Sequence, residues 1–148
     1  MSVHVAMIDG ILVTTFTGMI TIEDLAELGR RVAEIEDAGN PAPDRLTDLS
    51  GAHGMSITFS DVLQLARHRA ERRLALPIRS AIIAANPAHR GFARMYQTLN
   101  DHPQTTIEIF EHRESALAWL RGDAEGARSG ADAVAPRGNA MDDGEGEG

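Results

Sequence analysis

The feature that most constrains the fold is an almost continuous apolar run, Ile78–Ala85, interrupted only by Arg79 and Ser80. Such a run is typical of a central β-strand that is covered on both of its faces. Pro77 ends the segment before it, and Asn86-Pro87 turns the chain into the segment after it. The sequence therefore predicts a sheet with helices packed on both sides.

The rest of the chain alternates between strand and helix patterns. Val3–Ile8 and Ile11–Phe16 are β-favourable and are separated by Asp9-Gly10, the strongest short signal for a hairpin. Further strands are predicted at 45–49 and 106–110, and helices at about 22–37 (capped by Thr21), from Ser60 towards Pro77, at 88–100 and at 115–120. The order β-β-α-β-α-β-α-β-α predicts an α/β fold with one mostly parallel five-stranded sheet, whose first strand is an antiparallel edge.

Length and composition indicate one domain with an extension. The chain has 148 residues and a net charge of −8, and residues 1–121 are predicted to form the domain. Residues 122–148 hold seven acidic residues, two basic ones and seven glycines, without any aromatic residue, leucine or isoleucine. Such a segment buries too little apolar surface to offset the entropy of ordering, so a disordered acidic tail is predicted.

The same composition excludes several classes of protein. No apolar run approaches the roughly 18 residues needed to cross a bilayer, and the first ten residues lack the pattern of a secretory signal. Because cysteine is absent, disulfides, thiol nucleophiles and thiolate metal sites are excluded. We expect a cytoplasmic protein without membrane insertion.

Motifs for catalysis and for cofactors are weak. The six histidines are scattered without the i, i+4 spacing of a helical metal pair, so surface positions and no metal site are predicted. Gly54–Thr58 begins like a nucleophile elbow around Ser56, but Thr58 stands where the second small residue belongs. Gly51–Gly54 matches neither phosphate-binding fingerprint. We therefore expect a non-enzymatic protein without a cofactor.

A cluster of basic residues on the second predicted helix has two interpretations. Arg67, His68, Arg69, Arg72 and Arg73 could contact nucleic acid, or they could form a solvated polar face. Nucleic-acid binders are usually basic overall, whereas this chain is acidic. A solvated face, and no nucleic-acid partner, is predicted.

Two segments that follow strands are candidates for contact with a ligand or partner. Residues 50–60 are predicted to form a loop at the end of the third strand, where open α/β sheets usually place ligands. The loop exposes three apolar side chains, Met55, Ile57 and Phe59. Residues 88–96 bring His89, Arg90, Arg94 and Tyr96 to a helix start. Arg90 and Arg94 could hold an anion, or they could pair with Glu108 or Asp101.

As a whole, residues 3–121 resemble the STAS-like superfamily, in particular its small stand-alone branch with a SpoIIAA-like fold. The matching segments are Gly18 with the helix start Thr21–Leu28, the strand end Leu46–Gly51, the strand Ile78–Ala85, the helix Gly91–Tyr96, and Ile109-Phe110 with Ala116–Leu120. The resemblance implies a βα superhelix with its strands in sequential order. Within this superfamily fold, Sec14-type domains hold an apolar ligand.

The resemblance also implies a regulatory role. In anti-sigma factor antagonists, a partner kinase phosphorylates a serine at the start of the helix that follows the Asp-Leu-Ser-Gly strand, and the added charge breaks the interface. In this chain the usual Asp-Ser-Ser-Gly signature is replaced by Ser56–Phe59, followed by Ser60. Ser56, Thr58 and Ser60 are the candidate switch residues. We expect a protein-interaction module, with a partner protein or a second copy of itself, and alternatively a domain that binds a small apolar molecule.

Overall fold

The computed structural model describes residues 3–38, 42–74 and 76–122. The elements in these ranges are the strands β1 (Val3–Ile8), β2 (Ile11–Thr21), β3 (Arg45–Ser56), β4 (Ile78–Ile83) and β5 (Thr105–Phe110), and the helices α1 (Ile22–Ala38), α2 (Phe59–Ala70), α3 (Pro87–Leu99) and α4 (Arg113–Leu120). The predicted acidic tail lies outside the described residues, apart from Gly122.

The strands form one sheet in the order β1-β2-β3-β4-β5. β1 is antiparallel to β2, and the other three pairs are parallel. At the turn between β1 and β2, Asp9 and Gly10 have positive φ angles of 52° and 78°, as a two-residue hairpin requires. The α/β class, the sequential strand order and the antiparallel edge strand are confirmed.

The two faces of the sheet carry different helices. Buried residues of α1, α2 and α3 pack on one face, in a cluster with Phe16, Leu49 and Ile82. α4 packs on the other face, against Val13, Leu46 and Ala81. Because side chains alternate along a strand, consecutive residues of β3 supply opposite faces.

The prediction of a long loop at residues 50–60 is wrong, because β3 continues to Ser56 and β2 continues to Thr21. The added residues pair in parallel, from Thr17 with Gly51 to Thr21 with Ser56. A Cβ atom at Gly51 would lie 2.8 Å from the carbonyl oxygen of Phe16, so a glycine allows the two backbones to approach. Glycine usually weakens a strand, but here Gly51 favours the pairing of β2 with β3.

Helix starts follow local capping chemistry. The Thr21 hydroxyl accepts from the Asp24 N–H, and the Asp24 carboxylate accepts from the Thr21 N–H, which confirms the predicted cap of α1. Thr58, not Ser60, caps α2 by the same reciprocal arrangement with Asp61. An aspartate stands three residues after Thr58, whereas Leu63 stands three residues after Ser60, so only Thr58 can form the reciprocal pair.

Candidate functional site

A cavity of about 70 Å³ lies between the sheet and the three helices α1, α2 and α3. We call it the Arg45 cavity. Its polar lining residues are Thr14, Arg45, Thr47, Arg69, Ser80 and Tyr96, and its other lining residues are Phe16, Leu25, Leu28, Gly29, Val32, Leu65, Ile82 and Phe92. One water molecule needs roughly 10–15 Å³ of such volume, so the cavity has room for a small ligand group.

Four of the six polar lining residues come from three neighbouring strands. Arg45 pairs with Ser80 across β3 and β4, and Thr14 pairs with Thr47 across β2 and β3. All four occupy the strand positions that alternate with the α4-facing residues Leu46 and Ala81. The sheet register therefore collects a polar patch near the start of β3 and β4, on a face that is otherwise largely apolar.

The cavity adjoins a buried ion pair between α1 and α2. The guanidinium of Arg69 donates to both carboxylate oxygens of Glu36, each at 2.9 Å. Both side chains are at least 90% buried, with exposed fractions of 8% and 2%. Burial raises the pKa of Glu36, but hydrogen bonds from Arg69 and the charges of Arg69, Arg45 and Arg72 lower it, and the net pKa lies below its ordinary value.

Arg45 has no comparable partner. The nearest carboxylate distance, from Nη1 of Arg45 to Oε2 of Glu36, is 3.9 Å, beyond hydrogen-bonding range. Among the described residues, the buried Nε of Arg45 has no hydrogen-bond partner. Burial and the charge of Arg69 lower the pKa of Arg45, whereas the nearby Tyr96 hydroxyl and Glu36 favour its charged form. Arg45 is therefore a desolvated cation with an unused donor at the cavity wall.

A second layer of polar contacts holds the ends of α1 and α2. Arg72 donates to the Asp37 carboxylate at 2.8 Å and lies 3.5 Å from Glu36. The carbonyl oxygen of Arg72 accepts from Nε2 of His102 at 2.6 Å, while Nδ1 of His102 accepts from the Gln104 N–H. These contacts connect the C-terminal ends of both helices to the segment before β5.

Away from these ends, α1 and α2 are separated by an open groove of about 480 Å³. The groove and the Arg45 cavity share three lining residues, Leu25, Gly29 and Leu65. A Cβ atom at Gly29 would meet nothing within 4 Å. The groove therefore adjoins the cavity at Gly29.

The candidate switch residues lie together at the start of α2. Ser56 ends β3, and Ser56, Thr58 and Ser60 are all exposed. The Thr58 hydroxyl accepts from the Asp61 N–H at 3.1 Å and is thus engaged in the cap. None of the three lines the Arg45 cavity.

The apolar candidates next to them do not form one exposed patch. Met55 and Ile57 are partly buried and pack against the core of the three-helix face. Phe59 alone of the three is exposed, at 58%. The expectation that all three project from a loop is corrected, because extension of β3 turns Met55 into a strand residue paired with Ile20.

The residues predicted around the start of α3 take different roles. His89 is buried, and its Nε2 lies 3.0 Å from the Ala52 carbonyl oxygen. Arg90 donates to the Ala85 carbonyl oxygen and lies 3.5 Å from Glu111, and Arg94 is exposed. Tyr96 is the one member of this set that lines the Arg45 cavity.

Two predictions about polar surface residues are wrong in part. Arg69 is not solvated, because it inserts between helices to pair with Glu36. His89 and His102 are buried rather than exposed, since Nε2 of each lies within hydrogen-bonding distance of a backbone carbonyl oxygen. Within the described ranges, no group of three or more potential ligands could hold a metal ion, and no helix is long and apolar enough to cross a membrane.

The sequence reasoning missed Arg45, Arg69 and Glu36 as site residues. The sequence did contain a signal for the site, because three strands place a polar residue two positions before a buried apolar residue and therefore on the same face. These pairs are Thr14 and Phe16, Thr47 and Leu49, and Ser80 and Ile82. A polar residue at an inward position needs a partner or a ligand. The pairing of Glu36 with Arg69, 33 residues apart, had no local signal.

The comparisons with known proteins bear on the fold. The structure is similar to that of an uncharacterised protein from the DUF3478 family with a SpoIIAA-like fold, from Shewanella loihica PV-4. The two chains share 20% identity with a TM-score of 0.54, over 80% of this chain and 91% of the other. No family model and no curated protein matches the sequence. The chain therefore has a SpoIIAA-like fold, as its resemblance to the STAS-like superfamily predicts.

Proposed function

We propose that this chain is a cytoplasmic, non-enzymatic binding domain that takes a small molecule into the Arg45 cavity. The observation that carries the proposal is the mixed lining, in which apolar side chains surround a few converging polar groups. Small-molecule sites have this composition, because apolar walls supply affinity and polar groups supply orientation.

Binding is better supported than catalysis. The lining residues include the hydroxyls of Thr14, Thr47, Ser80 and Tyr96, but no histidine, carboxylate, lysine or cysteine. A hydroxyl nucleophile needs a neighbouring base, and arginine stays protonated at working pH. The same lining can orient a ligand without transforming it.

The groove between α1 and α2 supplies the route for the ligand. Gly29 stands where groove and cavity meet, with open space above its Cα. A leucine at this position would place its side chain in the passage. Gly91 in α3 also has open space around it and lines neither the cavity nor the groove.

Native mass spectrometry of freshly purified protein tests the proposal. We expect a bound small molecule in the wild-type chain and in Gly91→Leu, and its loss in Gly29→Leu with an unchanged circular dichroism spectrum. Repeated absence of any adduct from the wild-type chain, or an equal adduct in both leucine variants, would contradict it.

A second candidate function is protein interaction at the start of α2, with a partner or a second copy of the chain. The observation that favours it is the exposed set Ser56, Thr58, Phe59 and Ser60 on one short segment. Phe59 would supply an apolar anchor, and a phosphate on a neighbouring hydroxyl would add charge that disrupts the contact. Ser56 and Ser60 are the better acceptors, since modification of Thr58 would remove the cap of α2.

Incubation with a cognate anti-sigma kinase tests this second function. Of Ser56, Thr58 and Ser60, we expect phosphate on Ser56 or Ser60 rather than on Thr58, and weaker complex formation or self-association after modification. Phe59→Ser should weaken the same association, whereas Leu76→Ser, at an equally exposed apolar residue, should not. An unmodified chain that forms no complex would overturn the interaction hypothesis.

A further inference from the structure

The charges around the Arg45 cavity do not balance. Two guanidinium groups, those of Arg45 and Arg69, line it, and among the described residues the one carboxylate within 4 Å of them belongs to Glu36. Both oxygens of Glu36 are already occupied by Arg69 at 2.9 Å. The cluster of these three residues thus carries one uncompensated positive charge.

This charge is buried at a cost. The Arg45 side chain is 11% exposed, and its Nε has no hydrogen-bond partner among the described residues. A buried cation whose nearest carboxylate lies 3.9 Å away and is already hydrogen-bonded to another guanidinium is unfavourable, and an unsatisfied donor adds to the penalty. One singly charged anion in the cavity would cancel the charge and accept the free N–H.

The surroundings of Arg45 define what such an anion must look like. The Tyr96 hydroxyl, which is close enough to favour the charge of Arg45, and the Ser80 hydroxyl line the same cavity. They offer further hydrogen bonds to an anionic head. Beyond them the walls are Leu25, Leu28 and Phe92, which suit an apolar tail rather than a second charge.

The sizes of the two spaces define where an apolar tail of the ligand would lie. The cavity of about 70 Å³ holds only a small head group, while the adjoining groove offers about 480 Å³ between α1 and α2. The α1 wall of the groove is apolar, whereas its α2 wall combines Leu65 with polar residues (Asp61, Gln64, Arg67, His68 and Glu71). Leu25 and Leu65 line both spaces, so an unbranched chain leaving the cavity past Gly29 would lie along the α1 wall and Leu65.

We propose that the ligand of the Arg45 cavity is a monocarboxylate with an unbranched apolar tail, whose carboxylate is recognised by Arg45 with Tyr96, an assignment that rests on the proposed binding function. A guanidinium donates two parallel bonds to a carboxylate, and such charge-assisted bonds are stronger than neutral ones. A single charge matches the single excess cation better than a phosphate dianion does.

Isothermal titration with three matched probes tests the assignment on the full chain. Octanoate carries head and tail, 1-octanol carries the tail alone, and inorganic phosphate carries charge alone. We expect octanoate to bind about tenfold or more tightly than 1-octanol, because a buried charged hydrogen bond is worth at least that ratio. Phosphate should neither bind nor compete.

Variants separate recognition from folding. Arg45→Met keeps the apolar stem and should remove the preference for octanoate without lowering the melting temperature, since an unpaired buried cation is lost. Arg45→Lys should retain part of the preference, and Tyr96→Phe should weaken octanoate several-fold while leaving 1-octanol unchanged. Arg113→Met, on the opposite face of the sheet, should bind both probes like the wild-type chain.

The outcomes distinguish the two levels of the proposal. Equal binding of octanoate and 1-octanol, with the adduct still seen by native mass spectrometry, would overturn the carboxylate assignment and leave the binding function standing. Competition of phosphate with octanoate would overturn the carboxylate assignment and show that the cavity is a general anion site. No binding of either octyl probe, together with no adduct, would overturn both.

Discussion

The two faces of the sheet bury different kinds of side chain. On the α4 face the buried cluster is entirely apolar, with Leu46, Ala81 and Phe110 at 1% exposure or less. On the three-helix face, the apolar cluster surrounds Arg45, Thr14, Ser80 and the ion pair of Arg69 with Glu36. One face is therefore used for packing alone, and the other combines packing with a site.

Charged residues show the same contrast. On the α4 side, Arg79 is exposed and stacks over Trp119 at 5.3 Å, and Arg113 meets Asp48 at 3.1 Å near the surface. There the charges stay in contact with water, where such pairs cost little. On the three-helix face the charges are desolvated, so their stability depends on complete pairing.

The largest expected effect follows from breaking that pairing. Glu36→Gln leaves the buried guanidinium of Arg69 without its paired carboxylate and removes the carboxylate nearest to Arg45, so we expect a loss of about 3–5 kcal/mol in the free energy of unfolding. Urea denaturation at neutral pH measures it. Glu27→Gln, which affects exposed pairs of the same helix, should cause a much smaller change.

The same carboxylate gives a pH dependence. Because the pKa of Glu36 is held below its ordinary value of 4.5, its contribution is complete above that value and is lost as the pH falls through the lower, folded-state value. The difference between wild-type and Glu36→Gln proteins should therefore shrink below about pH 4.5. A constant difference down to pH 2 would show that Glu36 does not act through its charge.

The next largest effect compares the stability contributed by the two faces at neighbouring positions of one strand. Leu46 and Thr47 are neighbours in β3, but Leu46 is fully buried on the α4 face and Thr47 lines the cavity. Leu46→Ala should cost about 2–5 kcal/mol, as large-to-small changes in packed cores do. Thr47→Ala should cost less than half as much, since it only enlarges an existing cavity. Equal losses would show that the three-helix face is packed as tightly as its counterpart.

The sequence predicts the packing face better than the site. Alternating apolar residues and Asp9-Gly10 suffice for the strands and the hairpin, because each signal is local. The order of the strands in the sheet is implied by the resemblance to the STAS-like superfamily instead. The extension of β3 escapes the same reasoning, since Gly51 is needed there for close approach to Phe16 rather than for a turn. Long-range contact, not local propensity, decides that segment.

The site is harder to predict because its key contacts join distant residues. In the sequence, Arg69 is one of several cations on a predicted polar helix face, and its pairing with Glu36 on α1 is what buries it. Arg45 lies at the start of a strand, where an exposed end is expected. Of the residues selected from the sequence as switch residues or as contacts for a ligand, Tyr96 alone lines the cavity, because α3 turns it towards the sheet.

The smallest expected effect tests whether the three-helix face is less stable because it keeps the Arg45 cavity accessible to a ligand. Gly29 lies inside α1, where a glycine costs about 0.5–1 kcal/mol relative to alanine, and a Cβ atom there would meet nothing. Gly29→Ala should therefore stabilise the fold by about that amount, as should Gly91→Ala in α3. Paired thermal and urea denaturation curves measure both gains, and titration with octanoate compares the access of a ligand to the cavity in the two variants.

A similar gain in the two variants, with slower or weaker octanoate binding in Gly29→Ala alone, would show that the open position above Gly29 is used for entry. If Gly29→Ala instead destabilises the chain, the space at that position is occupied in solution and the groove does not lead to the cavity.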